Sequence, residues 1–487
     1  MSNVLTFEQP LEAAAVVNGV KEANPVATHS DGVPIIVNTA LPKITNGISQ
    51  VKHLPAEFYT PFFSDAANKR KPSPIRALFP LENTPGLISL LAGKPNASCF
   101  PFTSISFTAR SPTDPSTETS LELDKNELAE ALQYGPTGGE PSLVNWVFGL
   151  QEYSHGRKRG EGWRVSIGAG SQDLLYKAIT AILSPGDTML IESPAYAGVL
   201  PMFEHCEQIE VDTDSDGIDP ASMRSILENW PVGKRKPKVL YTVPFGSNPT
   251  GFTTTLKRRK EILALAREHN FLIMEDDPYY YLYFGEAPRP ASYFTLELEE
   301  PEVGRVLRFD SLSKVLSAGI RIGFASGPEP LLRAMDMHTA MANLQVAGLT
   351  QVMVSTLLNS WGYDTFKIHS QNVSAFYRKK RDIFERCMRQ YLTGLAEWSR
   401  PEAGMFYWFK LLLGTEEEDS EVVIRTKAIE RGVLALPGTV FMPNARKTGY
   451  VRASFSLLDE EEIEEAIQRL RDVILEARTT AGAEGKN

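Results

Sequence analysis

From about residue 165 the chain alternates short apolar runs with helical stretches, and no other feature narrows its fold as much. The apolar runs are Asp187–Ile191, Lys238–Val243, Phe271–Met274, Arg305–Phe309 and Arg321–Ala325. Helical patterns cover Ser171 to about Leu183 and about Thr255 to His269, and another begins near Glu329. This rhythm predicts an α/β architecture with many parallel strands. In such sheets the ligand lies beyond the carboxyl ends of the strands. The polar clusters follow the strands here: Ser193–Tyr196, Asn248–Gly251, Glu275–Tyr279 and Ser311–Lys314. Dispersed in sequence, they are expected to converge in space.

The rest of the chain divides around that region. Residues 1–75 are polar and rich in Pro and Asn, with six basic residues against six acidic ones. We expect a partly ordered extension rather than a basic DNA-binding arm. Residues 76–125 are expected to begin a small domain, and 126–375 to form the large one. Residues 376–478 mix helices with short strands at Met405–Leu411 and Val451–Ser456, as in a smaller α+β domain. Residues 479–487 read as a polar tail.

Composition removes several functions. With 487 residues, 42% of them hydrophobic, the chain can bury a large core. A net charge of -10 disfavours a nucleic-acid partner. Cys99, Cys206 and Cys387 are far apart, which suits a reducing compartment and offers no metal or disulfide framework. The seven histidines lack zinc-ligand spacing, so no metal is expected. No apolar run approaches membrane-spanning length, and Met1–Glu8 lacks the features of a secretory leader. The expectation is a cytoplasmic protein without membrane contact.

Lys314 carries the chemistry. It lies in Ser311-Leu312-Ser313-Lys314-Val315-Leu316-Ser317-Ala318-Gly319-Ile320-Arg321-Ile322-Gly323, one amine among hydroxyls with Arg321 nearby. An amine that attacks an aldehyde must first lose its proton, which partial burial beside another cation favours. The hydroxyls and Arg321 suit a phosphate. Gly168-Ala169-Gly170-Ser171-Gln172 precedes a helix, and free N–H groups at a helix start favour an anion. Strand alternation places Asp276 opposite Glu275 and Asp277, so a single carboxylate could face a pyridine nitrogen and keep it protonated. Asn248 and Tyr279 are suited to donate to a ring oxygen, and Tyr196 to stack on a planar ring. Arg452 lies on a short apolar strand, as either a structural ion pair or a clamp for a substrate carboxylate.

Quoted in order, Lys71-Pro72-Ser73-Pro74-Ile75-Arg76, Leu132-Gln133-Tyr134, Gly170-Ser171-Gln172, Pro194-Ala195-Tyr196-Ala197-Gly198, Tyr241 to Gly251, Glu275 to Tyr279, Ser311 to Gly323 and Arg452 to Ser456 match one family. Over roughly residues 70 to 475 the chain resembles the fold-type-I, pyridoxal-phosphate-dependent aminotransferases, and most of all their aromatic amino acid, kynurenine and 2-aminoadipate branch. The resemblance implies a large domain whose mostly parallel mixed sheet is sandwiched by helices, plus a smaller α+β domain. It implies that Lys314 holds pyridoxal 5′-phosphate as an imine and later moves a proton at substrate Cα. Asp276 would pair with the ring nitrogen, while Asn248 and Tyr279 hold the ring oxygen. Ser171, Gln172, Ser311, Ser313 and Arg321 would bind the phosphate, and Tyr196 would stack on the ring. Arg452 would bind the substrate carboxylate, and Arg76 would lie near the substrate's far end. Tyr134 would reach the other subunit's cofactor in a homodimer. The substrates would be an amino acid and a 2-oxo acid such as 2-oxoglutarate, in a ping-pong reaction.

Two departures stand out. Asp173 occupies a position where relatives often have Gln, and it is expected to point along its helix, away from the phosphate. Leu344-Gln345-Val346-Ala347-Gly348 lacks an expected Pro-Ser pair. Tyr134, Tyr196, Met405 and Phe406 favour aromatic substrates, whereas Arg76 favours a distal carboxylate, so both substrate classes stay open. Decarboxylases, lyases and 1-aminocyclopropane-1-carboxylate synthases share much of this site. An aminotransferase-like effector sensor would need a DNA-binding head that residues 1–75 do not supply. A serine acyl-enzyme would use Ser311-Leu312-Ser313-Lys314, Ser370-Gln371-Asn372 and Lys447-Thr448-Gly449, leaving Asn248, Asp276 and Arg452 without a role.

Overall fold

The computed structural model describes residues 51–484, except 73, 75–77, 79–80, 83, 92 and 415–417. Arg76 and residues 1–50 of the expected extension lie outside the described residues. An antiparallel ribbon, β1 (Ser106–Arg110) and β2 (Glu118–Glu122), comes first. The large sheet is built from β3 (Trp163–Gly168), β4 (Thr188–Ser193), β5 (Glu207–Asp214), β6 (Gly217–Ile218), β7 (Val239–Thr242), β8 (Leu272–Asp277), β9 (Val306–Ser311) and β10 (Gly323–Pro328). Their spatial order is β3-β10-β9-β8-β7-β4-β5-β6. Strands β9, β8, β7, β4 and β5 run parallel, with helices as crossovers or flanking layers. Strands β11 (Ala396–Trp398), β12 (Phe406–Leu411), β13 (Leu436–Pro437) and β14 (Tyr450–Ser454) form an antiparallel small sheet in the order β11-β12-β14-β13.

The fifth apolar run differs from a simple parallel pattern: β10 lies antiparallel to both β9 and β3. Between β9 and β10 there is only a loop with one 3-10 turn, Ala318–Ile320. A parallel neighbour needs a longer crossover, usually a helix, so the chain turns back instead. This places Lys314 and Arg321 in one loop over the sheet's edge.

Strands β8 and β9 also run beyond their apolar stretches. All six residues of each are buried, including Glu275, Asp276, Asp277, Asp310 and Ser311. Buried acids need partners, and Arg308 supplies one for Glu275, Asp277 and Asp310. It is 0% exposed, is ion-paired with Asp277, and donates to Asp310 from Nε at 2.8 Å and from Nη2 at 2.7 Å.

Residues 51–69, placed by composition in the extension, pack onto the large domain. Tyr59 and Phe62 are buried in its core, and Tyr59 Oη donates to the Gly304 carbonyl at 2.8 Å. The helix Gly348–Tyr391 breaks at Gly362, where φ is 65° and ψ -178°. The expected boundary at 375/376 falls inside its second half. The last helix, Glu460–Glu484, takes in residues 479–484 of the expected tail. Among the described residues, no helix is long and apolar enough to cross a membrane.

Candidate active site

The parallel strands deliver their polar ends to one edge of the sheet, where a cavity of about 340 Å³ opens. Strand β8 brings Asp276 and then Tyr279, the turn after β7 brings Asn248, and β4 leads to Tyr196. The loop after β9 brings Ser311, Ser313, Lys314 and Arg321, and the helix Ser171–Ile182 begins there with Ser171 and Gln172. The small sheet closes the cavity with Phe406 from β12 and Arg452 from β14. Every expected site residue lines this space except Tyr134, which is exposed, and Arg76, which lies outside the described residues. Met405 does not line it either.

The Lys314 amine is half-buried, and no partner holds its Nζ among the described residues. Burial lowers its pKa, and the Arg321 and Arg452 charges add to the effect. A larger neutral fraction makes a better nucleophile.

Asp276 is 3% exposed. Its Oδ2 accepts from Tyr241 Oη at 2.8 Å, whereas Oδ1 is buried without a partner. Burial pushes its pKa up to about 7, against the Tyr241 hydrogen bond. A buried carboxylate oxygen left unpaired is costly, and a protonated ring nitrogen is the kind of donor it lacks. Glu275 faces the other way and accepts from the N–H groups of Tyr293 at 2.8 Å and Phe294 at 3.1 Å.

The corner at the start of the helix Ser171–Ile182 is built by close approach. Gly170, at φ 89°, precedes this helix, which has no side-chain cap. A Cβ on Gly170 would come within 2.3 Å of Arg321 Nη2, and one on Gly323 within 2.5 Å of the Ser171 nitrogen. Free N–H groups, hydroxyls and a guanidinium therefore meet at one helix start. Arg321 donates to Ser313 Oγ at 3.1 Å and to the Ala169 carbonyl at 3.0 Å. Asp173 pairs with Lys177 at 2.7 Å one turn along the helix and also accepts from the Ala169 N–H. The acid is thus neutralised within its own helix.

Arg452 rests over the Phe406 ring at 4.1 Å and the Phe441 ring at 5.0 Å. Its Nη1 donates to Asn248 Oδ1 at 2.9 Å, and its buried Nε has no partner. Among the described residues no carboxylate forms an ion pair with it, which removes the structural-ion-pair alternative. Asn248 spends its oxygen on Arg452, and its Nδ2 has no acceptor among the described residues. Tyr279 is 3% exposed and meets Phe406 edge-on at 6.3 Å. Tyr196 Oη lies 3.5 Å from Gln172 Oε1.

Sequence reasoning assigned no role to Tyr241, Phe441 or Glu192. A polar residue inside an apolar strand was the only signal for Tyr241 and Glu192, and Phe441 gave none. The serine acyl-enzyme reading finds no geometry here. Ser370 is buried in a helix and donates to the Phe366 carbonyl, Asn372 donates to the Pro112 carbonyl, and Lys447 pairs with Asp419 at 3.5 Å. None of the three lines the cavity.

A family model for aminotransferases of class I and II matches residues 111–470. The chain is 41% identical over 419 residues to aminotransferase tdiD of Emericella nidulans, spanning 85% of this chain and 95% of that protein. It is 37% identical over 437 residues to the mitochondrial kynurenine/alpha-aminoadipate aminotransferase of Mus musculus, spanning 86% and 99%. The solved kynurenine aminotransferase of Pyrococcus horikoshii, in complex with PMP, KYN and KYA, superposes with a TM-score of 0.67 at 29% identity, over 85% of this chain and 97% of that one. By sequence and fold together, the chain belongs to the class I and II aminotransferases.

Proposed function

We propose that this pyridoxal-phosphate aminotransferase takes its amino group from an aromatic or 2-aminoadipate-like amino acid and passes it to a 2-oxo acid such as 2-oxoglutarate. One observation carries the reading. A single cavity is lined by an acid without a cation, Asp276, a cation without an acid, Arg452, and a half-buried amine, Lys314, among the described residues. Unmatched charges in such a place suit a ligand with both a protonated ring nitrogen and a carboxylate.

Lys314 would hold pyridoxal phosphate covalently, and Asp276 would keep its ring nitrogen protonated. Asn248 Nδ2 and Tyr279 Oη would donate to the ring oxygen, while Tyr196 stacks on the ring. Ser171, Gln172, Ser311, Ser313 and Arg321 would hold the phosphate. When bound, the cofactor supplies an electron sink for the pair released at substrate Cα. Arg452 orients the amino acid by gripping its carboxylate, with the two phenyl faces keeping the guanidinium in place. Once the substrate amine has taken its place, the freed Lys314 Nζ would accept the Cα proton and hand it on. The two substrates share Arg452, so they enter in turn, in a ping-pong order.

Tyr134 is exposed, together with Leu81, Leu87, Ile88, Leu90 and Phe102. Apolar exposure on this scale supports self-association, and we assign a homodimer. The unpaired cysteines support a reducing compartment, and we assign the cytoplasm. Recovery of the protein in a mitochondrial fraction would overturn that assignment. The reaction is tested by mixing purified holoenzyme with single amino acids in the absence of a 2-oxo acid. Loss of the visible cofactor band with stoichiometric 2-oxo acid release is expected. Release of carbon dioxide or ammonia instead would favour the decarboxylase or lyase reading.

A further inference from the structure

Glu192 is the last residue but one of strand β4 and lies on the sheet face away from Asp276. Ile191 is level with Tyr241, so Glu192 shares its face with Thr242, while Tyr241 reaches Asp276 on the other. Glu192 is 2% exposed, and among the described residues no cation pairs with it. Its carboxylate instead accepts three hydrogen bonds from one short segment. The Val243 N–H donates to Oε1 at 3.1 Å, Ser247 Oγ to Oε1 at 3.0 Å, and Thr242 Oγ1 to Oε2 at 2.8 Å.

That segment carries the chain from the end of β7 to Asn248. The turn beyond is closed by its own backbone, with the Gly251 N–H donating to the Ser247 carbonyl at 2.6 Å and the Ser247 N–H to the Phe252 carbonyl at 2.9 Å. Ser247 is thus the point where a self-contained turn is fastened to the sheet. Next along the turn, Asn248 holds Arg452. A buried carboxylate without a cation is a costly way to join two strands. In return, its charge-assisted hydrogen bonds hold three donors in fixed directions.

We propose that Glu192 is a positioning residue, which clamps Thr242–Ser247 and so sets the place of Asn248 and, through it, of the Arg452 guanidinium. The inference rests on the reading above that Asn248 faces the cofactor and Arg452 the substrate carboxylate. The test uses purified holoenzyme of the wild type, Glu192→Ala, Glu192→Gln and Ser247→Ala, with Asn248→Ala and Arg452→Ala alongside. Three quantities are measured: amino acid KM against kcat, the Kd of pyridoxamine phosphate for the apoprotein, and Tm. Glu192→Ala is expected to raise both KM and Kd about tenfold, the loss of a charge-assisted contact at one remove. Ser247→Ala is expected to raise them about threefold, and Glu192→Gln, whose amide oxygen still accepts, to stay within about threefold of wild type. If Glu192→Ala does not fold, Ser247→Ala decides. Lowered Tm with wild-type KM and Kd in both the alanine variants would make Glu192 a packing residue and overturn the proposal. If Asn248→Ala and Arg452→Ala are equally silent, the site reading falls with it; if they respond, only the role of Glu192 does.

Discussion

The two faces of strand β8 treat charge in opposite ways. On the back, Arg308 is fully enclosed and matched to Asp277 and Asp310, with Glu275 at 3.3 Å. On the front, among the described residues, Asp276 has no cation and Arg452, which lines the same cavity, has no carboxylate. Both sets are taken from water, so both carry a desolvation cost. On the back, protein partners offset that cost within the folded chain, and the acids in turn hold Arg308 protonated, its pKa raised. On the front the offset is left to a ligand. We assign the matched set to the fold and the unmatched set to the reaction, although Glu275, Asp276 and Asp277 are consecutive residues.

The sharpest break between the faces is expected at Lys314. Lys314→Ala should lower turnover by more than about 10⁴-fold and remove the visible absorbance of the lysine-bound cofactor. Its apoprotein should melt within a degree or two of wild type, because no folded-state partner is lost. Retained turnover would contradict the assignment. Arg308→Met should do the reverse. It leaves three acids enclosed without their cation, and a loss of about 3–5 kcal/mol in denaturant-induced unfolding is expected. Unchanged stability would show that the back face is not an ion-pair cluster.

Arg452→Ala comes next. A raised amino acid KM and a loss of about 2–3 kcal/mol in kcat/KM are expected, as for a charged bidentate contact. An unchanged KM would mean that another group clamps the carboxylate.

The smallest effect concerns pH. Burial raises the Asp276 carboxyl to about 7 and Glu192 also to about 7. At these two carboxyls the folded apoprotein binds more protons than the unfolded chain between the ordinary carboxyl range and about pH 7, so their contribution to stability falls as pH rises through that window. Asp276→Asn should remove part of that slope. Pyridoxal phosphate should also flatten it, by giving the carboxylate a cation. Equal slopes for apoprotein and holoenzyme would argue against a pyridinium partner for Asp276.

Much of this was legible in the chain. The alternation of apolar runs and helices determined an α/β sheet, and strand polarity then brought Asn248, Asp276, Tyr196 and Lys314 to one edge, as any parallel sheet must. Period-two alternation also separated Asp276 from its two acidic neighbours. Tertiary structure decided the rest. The short loop after β9 turned β10 antiparallel, and the register of β7 against β8 set Tyr241 beside Asp276. Arg452 met Asn248 across 204 residues. Whether a charged side chain is matched or left open depends on which distant groups surround it. Local sequence carries periodicity and turn chemistry, but it holds no record of those neighbours.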